Sequence, residues 1–209
     1  MPQRQRQLVL ASSSPYRRAL MDRLGLRYDA VAPRGVDEEV AARSELPPEQ
    51  LAAELARRKA KSLAAIFPDA VIIGCDQLCV LDDPNGGAPL VLGKPGTFEH
   101  ALEQLCMLRG REHRLLTAVA VHDAASGRTV EALDEHRICL REVSEAALRA
   151  YLERERPLDC AGSYKIEGLG IALMEYVRGE DYTAVIGMPL TALVALLSEV
   201  GIEVLGADP

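Results

Sequence analysis

RLLTAVAVHDAASGRTVEALDEHRICLR, residues Arg114–Arg141, carries the strongest topological signal in this 209-residue chain. Arg114–His122 and Thr129–Arg141 are two long extended stretches joined at Ser126-Gly127, which predicts an antiparallel hairpin. Working outward toward the C-terminus, Ser144 caps a helix to about Glu153, a glycine-rich turn covers Ala161–Gly170, a strand follows near Ile171–Val177, and Pro189 opens a helix to about Val200. Toward the N-terminus, a helix over Thr97–Leu108 is capped by Thr97 and stopped by Gly110. It follows the tight-turn loop Asp82–Ala88 and an apolar strand, Ala70–Gly74, that ends at Cys75-Asp76-Gln77, with Leu78–Leu81 continuing extended.

The first third alternates more regularly. Leu8–Ala11 reads as a buried strand. Ser14 is the N-cap and Pro15 the first residue of a helix that runs to about Leu24 and stops at Gly25. A strand near Tyr28–Ala32, an acidic turn Val36-Asp37-Glu38-Glu39 and a long helix over Pro48–Ile66 complete it. Strand and helix signals interrupted by one long hairpin favour a mixed α/β (α+β) fold, a strongly twisted mixed sheet flanked by helices, over a doubly wound parallel sheet. Neither a repeat nor a long linker divides the chain, so 1–209 is expected to be a single domain.

Composition narrows the function classes. Hydrophobic residues make up 48 % and charged residues 26 %, as in a globular protein; with two Phe, six Tyr and no Trp the core must be aliphatic. A formal net charge of −7 argues against nucleic-acid binding, which draws its affinity from phosphate contacts. An acidic protein still binds a polyphosphate when its few cations converge and a metal neutralises the rest. Five cysteines without a C-x-x-C pair point to reduced thiols rather than a disulfide framework or a zinc site. The apolar run near the start is about four residues, against roughly 7–15 for a signal peptide and about 20 for a membrane span, so a cytoplasmic protein without membrane attachment is expected.

Five places carry candidate chemistry. Ser12-Ser13-Ser14-Pro15-Tyr16-Arg17-Arg18 lies between a strand and a helix, where free amides, the positive end of the helix dipole and two arginines suit a phosphate. The bland alternative there is an ordinary N-cap with solvated arginines. Asp76 follows a buried strand, where open α/β sheets place ligands, and its carboxylate can hold Mg²⁺ or orient a water; a turn aspartate is the alternative. Lys94, in Gly93-Lys94-Pro95, is outside any Walker A pattern because proline follows it, leaving a phosphate-binding point charge or a surface lysine. In Cys160–Gly168, Ser163 is not in a G-x-S-x-G elbow, and His100, His113, His122 and His136 lack metal-ligand spacing, so serine-hydrolase chemistry is unsupported. Lys59 sits on the Leu51, Leu55, Leu63 row of its helix, where it either snorkels to the surface or reaches a polar site beside the core.

In order, LVLASSSPYRRALMDRLGL, VDEEV, ARRKAKSLA, IIGCDQ, LGKP, GREHRLLTAVAV, PLDCAGSYKIEGLG and GMPL are similar to the Maf family of nucleotide pyrophosphatases, over roughly Leu8–Gly201. The resemblance implies an ITPase/Maf-like fold and hydrolysis of a nucleoside triphosphate to the monophosphate and diphosphate, with a divalent cation, Mg²⁺ or Mn²⁺. It implies Asp76 as the catalytic acceptor of the water's proton, Glu38 together with Asp76 at the metal, and Ser12, Arg17, Lys59 and Lys94 at the phosphates. It also implies a homodimer.

Tyr16, Gln77 and Glu167 match the family's base-selective positions, and CAGSYKIEG resembles the branch acting on 7-methyl-GTP, with Tyr16 standing where that branch tends to carry tryptophan. The chemistry is consistent: N7-methylation makes the ring cationic, so a tyrosine face can stack on it and a glutamate can accept from its Watson–Crick edge. The rival readings are a dTTP/UTP pyrophosphatase of the same family, which tends to have Arg, Thr and Gln in those places, and a non-enzymatic nucleotide-binding regulator of cell division. The loop Asp82–Leu92 is longer than the family's usual link to Gly-Lys-Pro.

Overall fold

The structure, a computed structural model, describes residues 6–36 and 46–206. The elements are β1 (Leu8–Ala11), α1 (Pro15–Asp22), β2 (Asp29–Val31), α2 (Pro48–Lys61), β3 (Val71–Leu81), β4 (Leu90–Leu92), α3 (Phe98–Leu108), β5 (Glu112–Asp123), β6 (Thr129–Leu140), α4 (Glu145–Glu155), β7 (Met174–Arg178), α5 (Tyr182–Ile186) and α6 (Leu190–Glu199). Seven strands form one mixed sheet in the order β2-β1-β3-β5-β6-β7, with β4 beside β3. β1 runs parallel to both β2 and β3, whereas β4 is antiparallel to β3 and β7 to β6. The mixed α/β class expected from the sequence is the one observed.

The hairpin is β5–β6. At its tip the Asp123 amide donates to the Arg128 carbonyl at 2.9 Å, and far back along the pair Arg137 donates to Glu112 at 3.2 Å, so the two strands run antiparallel. Asp123 also accepts from the Ser126 hydroxyl at 2.7 Å, and Gly127 takes φ of 75°, the left-handed turn that glycine makes at least cost. The three caps read from sequence are formed: Ser14 accepts from the Arg17 amide, Thr97 from His100 and Ser144 from Ala147.

Several boundaries differ from the sequence reading. α2 ends at Lys61 rather than Ile66: Arg58, Lys59 and Lys61 fill its last turn, where cations complement the helix dipole, and the chain then turns. β7 starts at Met174 because Leu169–Leu173 wind into a 3-10 turn. β4 and α5 had no sequence signal, being three and five residues long.

The chain forms two compact units. The first comprises Met1–Asp76, Thr117–Leu133 and Gly187–Pro209, the second Gln77–Leu116 and Asp134–Ile186. In the first, Leu10, Met21, Leu55, Leu63, Ile72 and Ile73 are fully buried; in the second, Leu105, Leu108, Leu115, Ile138 and Leu140 are. Each such side chain contributes about 1.5–3 kcal/mol relative to exposure, so aliphatic packing carries both cores.

Candidate active site

The first unit builds its polar centre where β1 stops. β1 pairs with β3 at Leu10–Ile73, and after Ala11 the chain leaves the sheet through Ser12–Ser14. β3, however, continues to Leu81. This corrects the sequence reading of Asp76 as a strand-end residue: Asp76 lies inside an eleven-residue strand, and it is the neighbouring strand that has ended. β1 sits between β2 and β3, so this is a point where successive connections leave in opposite directions, the place at which open α/β sheets bind ligands.

Alternation along β3 then divides its side chains. Gly74 and Asp76 face α2. A β-carbon on Gly74 would lie 2.5 Å from the Ala60 amide nitrogen, so the helix packs against bare backbone there. That approach brings Lys59 to Asp76: Nζ donates to Oδ1 at 2.5 Å, and both residues are only 4 % exposed. Lys59 therefore does not snorkel to the surface. A buried ion pair of this kind is costly to break from one side, by about 3–5 kcal/mol, because the remaining charge is stranded away from water.

Cys75 lies on the opposite face of β3. Its thiol donates to the Gly187 carbonyl at 3.1 Å, and burial pushes its pKa up. Arg17, in the first turn of α1, donates through Nε to the same carbonyl at 3.0 Å. Ser12, buried, accepts from the Ser14 amide at 3.1 Å, which folds the turn ahead of α1. α1 has two arginines and no acidic residue in its first turn, a placement the helix dipole disfavours unless an anion is nearby. Arg18 differs from Arg17 in turning back onto the Ser13 carbonyl at 3.4 Å. Tyr16 is half-buried beside them.

The second unit holds the other sequence candidates. Gln77 donates its side-chain amide to the carbonyls of Ala184 at 2.8 Å and Val185 at 3.3 Å, so its nitrogen end is engaged by α5. Lys94 is exposed after β4, in a turn anchored by buried Pro95 and by the Gly96 amide on the Leu158 carbonyl at 3.0 Å. Glu167 is exposed on the Cys160–Gly168 turn. That turn is pinned from inside: Ser163 donates to Gln104 at 2.6 Å, the Lys165 amide to the Tyr151 hydroxyl at 3.0 Å, and Tyr164 meets His113 at 2.9 Å. Ser163, with φ of 63°, holds a left-handed conformation in a fully buried place, which the surrounding bonds must enforce.

Ser12, Arg17, Lys59 and Asp76 thus belong to one unit and Gln77, Lys94 and Glu167 to the other. Glu38, with Asp37 and Glu39, lies outside the described residues. Among the described residues no three His, Cys, Asp or Glu side chains form a ligand cluster. The donor chemistry of Asp76 fits a Mg²⁺- or Mn²⁺-type ion that takes one or two carboxylates and completes its shell with phosphate oxygens and water, and does not suit a dedicated all-protein cage. The sequence gives no individual role to Gly74, Cys75 or Gly187; the structure places Gly74 against α2 and Cys75 in a hydrogen bond with Gly187. The available signal was a glycine interrupting an apolar strand just before the acid.

The buried acid–lysine pair, the serine turn and the helix-borne arginine belong to a unit of open α/β type, a class that places its ligands where neighbouring connections diverge. Residues 7–200 match the Maf-like protein family, and the chain belongs to that family. Similar curated relatives include the 7-methyl-GTP pyrophosphatase of Syntrophotalea carbinolica, 46 % identical and covering 95 % of this chain and 97 % of that one. Those of Xanthomonas axonopodis pv. citri, 45 % identical, and Pseudomonas aeruginosa, 42 % identical, each cover 94 % of this chain and 98 % of their own. Among the described residues no helix is long and apolar enough to cross a membrane.

Proposed function

We propose that the chain is a nucleoside triphosphate pyrophosphatase that hydrolyses 7-methyl-GTP to 7-methyl-GMP and diphosphate, clearing a modified nucleotide from the pool. The carrying observation is the buried Asp76 carboxylate held by Lys59 where β1 ends. The name shared by the relatives supports the substrate. The match over 7–200 supports reading the chain as one Maf-like functional domain.

Asp76 takes a proton from a water as the water's oxygen bonds to phosphorus; the bond to the oxygen bridging the α and β phosphates breaks, and diphosphate leaves. Lys59 keeps the carboxylate oriented, an interaction made before the reaction begins. Ser12, Arg17 and Lys94 receive phosphate oxygens, on which negative charge builds. A divalent ion held by Asp76 and Glu38 would supply further charge neutralisation at those oxygens. Tyr16 stacks on the methylated ring, Glu167 accepts from its N1–H and amino group, and Gln77 meets the base edge through its carbonyl end. The family resemblance supports a cytoplasmic homodimer.

The test is a product assay across a triphosphate panel, with diphosphate distinguished from orthophosphate and with the protein chelated and then resupplied with Mg²⁺ or Mn²⁺. Diphosphate release, fastest on 7-methyl-GTP and restored by metal, is expected. Faster turnover of UTP or dTTP would move the chain to the pyrimidine branch, and orthophosphate as the product would end the reading.

A further inference from the structure

The GMPL motif has no part in the chemistry above, yet its glycine accepts two hydrogen bonds, one from Arg17 and one from Cys75, the residue before Asp76. The Gly187 carbonyl, directly after α5, takes Arg17 Nε at 3.0 Å and Cys75 Sγ at 3.1 Å. Gly187 is buried with φ of 141°, backbone that side chains other than hydrogen rarely adopt. Space is not the constraint: an added β-carbon would find only the Cγ and Nε of Arg17, both at 3.9 Å. Conformation alone calls for glycine here, and that conformation sets where the carbonyl points.

Cys75 is fully buried, and the Gly187 carbonyl is the acceptor its thiol hydrogen meets there. It immediately precedes Asp76, so the step of β3 that aims the acid at α2 aims the thiol at Gly187. An arginine tied at Nε keeps its planar fork in a fixed orientation and loses less freedom when its terminal nitrogens meet an oxyanion.

We propose that the Gly187 carbonyl, steadied by the Cys75 thiol, is a positioning group that orients Arg17 toward a phosphate of the substrate. This rests on the reading of Arg17 as a phosphate ligand. Arg17 is the binding residue, and Gly187 and Cys75 act through it.

The experiment measures kcat and KM for 7-methyl-GTP, the inhibition constant of inorganic diphosphate, and the melting temperature. The variants are Gly187→Ala, Cys75→Val, Cys75→Ser and Arg17→Gln, with Gly187→Ala also placed in the Arg17→Gln background. Gly187→Ala should raise KM and the diphosphate inhibition constant about tenfold, the loss expected of a misaimed charge-assisted bond, with kcat within about threefold. Cys75→Val should shift both constants in the same direction, and Cys75→Ser, which keeps a donor, should restore them. In the Arg17→Gln background Gly187→Ala should add less than about twofold. Effects of Gly187→Ala and Arg17→Gln that multiply would overturn the proposal; so would Cys75→Val indistinguishable from Cys75→Ser. If Gly187→Ala does not fold, the two cysteine variants decide. A wild-type protein that binds diphosphate but releases none from 7-methyl-GTP ends the enzymatic reading, and the same cycle in diphosphate binding still judges this one.

Discussion

The backbone of Gly74 runs so close to Ala56 that a β-carbon on the glycine would sit 2.2 Å from the alanine carbonyl oxygen. Both obstacles at that place, this oxygen and the Ala60 nitrogen, are backbone of α2, so neither can swing aside. The helix must retreat, and it carries Lys59 with it. Gly74→Ala should therefore lower stability by about 1–3 kcal/mol or more, a fall of several degrees in Tm for a chain this size. It should also reduce kcat in the molecules that remain folded. Gly206→Ala, where the nearest atom would be Glu203 Cβ at 3.7 Å, is the control and should change neither. A Gly74→Ala protein that melts with the wild type would mean the helix is not held where the acid needs it.

The pairing of Lys59 with Asp76 makes two separable expectations. Asp76→Asn keeps the shape but removes the proton acceptor, so kcat should drop by at least about 10² with nucleotide affinity largely kept. Lys59→Met strands a buried carboxylate and should cost about 3–5 kcal/mol of stability. Combining the two should recover part of that loss, because no uncompensated charge is left inside. Urea midpoints of the four proteins of the cycle measure it. A double variant less stable than Lys59→Met alone would show that the pair is not the reason Lys59 is buried.

The cycle also marks where sequence reading stopped. Lys59 was visible as a cation on a leucine row, but its partner lies 17 residues away on another element, and no local pattern names it. The caps at Ser14, Thr97 and Ser144 were legible because a cap is a three-residue event. The β5–β6 hairpin was legible because both strands and their turn are contiguous. Asp76 was found for an incomplete reason, since strand ends are judged along one chain whereas its environment is set by the end of β1. β4 and α5 are too short to carry a period, and Gly187 meets Cys75 across 112 residues.

Selectivity for a cationic base should be readable on Glu167. Glu167→Gln retains an acceptor and a similar shape but loses the charge, so kcat/KM for 7-methyl-GTP should fall about tenfold or more while UTP changes little. Tyr16→Leu should act in the same direction through lost stacking, and Tyr16→Trp should hold or improve the preference. Parallel kinetics on 7-methyl-GTP, GTP and UTP check this. Equal losses on all three nucleotides would remove Glu167 from base recognition and leave it a surface residue.

His113 offers a pH test inside the second unit. It is 1 % exposed, with Nε2 2.9 Å from the Tyr164 hydroxyl beneath the Cys160–Gly168 turn. Burial pushes its pKa down to about 4, against smaller upward pulls from the Arg111 backbone and the Glu112 carboxylate. The ordinary histidine value is 6.5, so between these pH values the unfolded chain binds a proton that the folded chain refuses. Stability must then fall as pH drops from 6.5 toward 4, by up to about 3 kcal/mol from this residue, and must be insensitive to it above 6.5. His113→Gln does not titrate. Its own stability should be lower at neutral pH, where the Tyr164 contact is disturbed, but its decline over that interval should be shallower than the wild type's. Urea midpoints at pH 7.5 and 4.5 on both proteins give the comparison, since the other acids and histidines are common to both. Two parallel declines would mean that His113 takes up its proton without unfolding the turn above it.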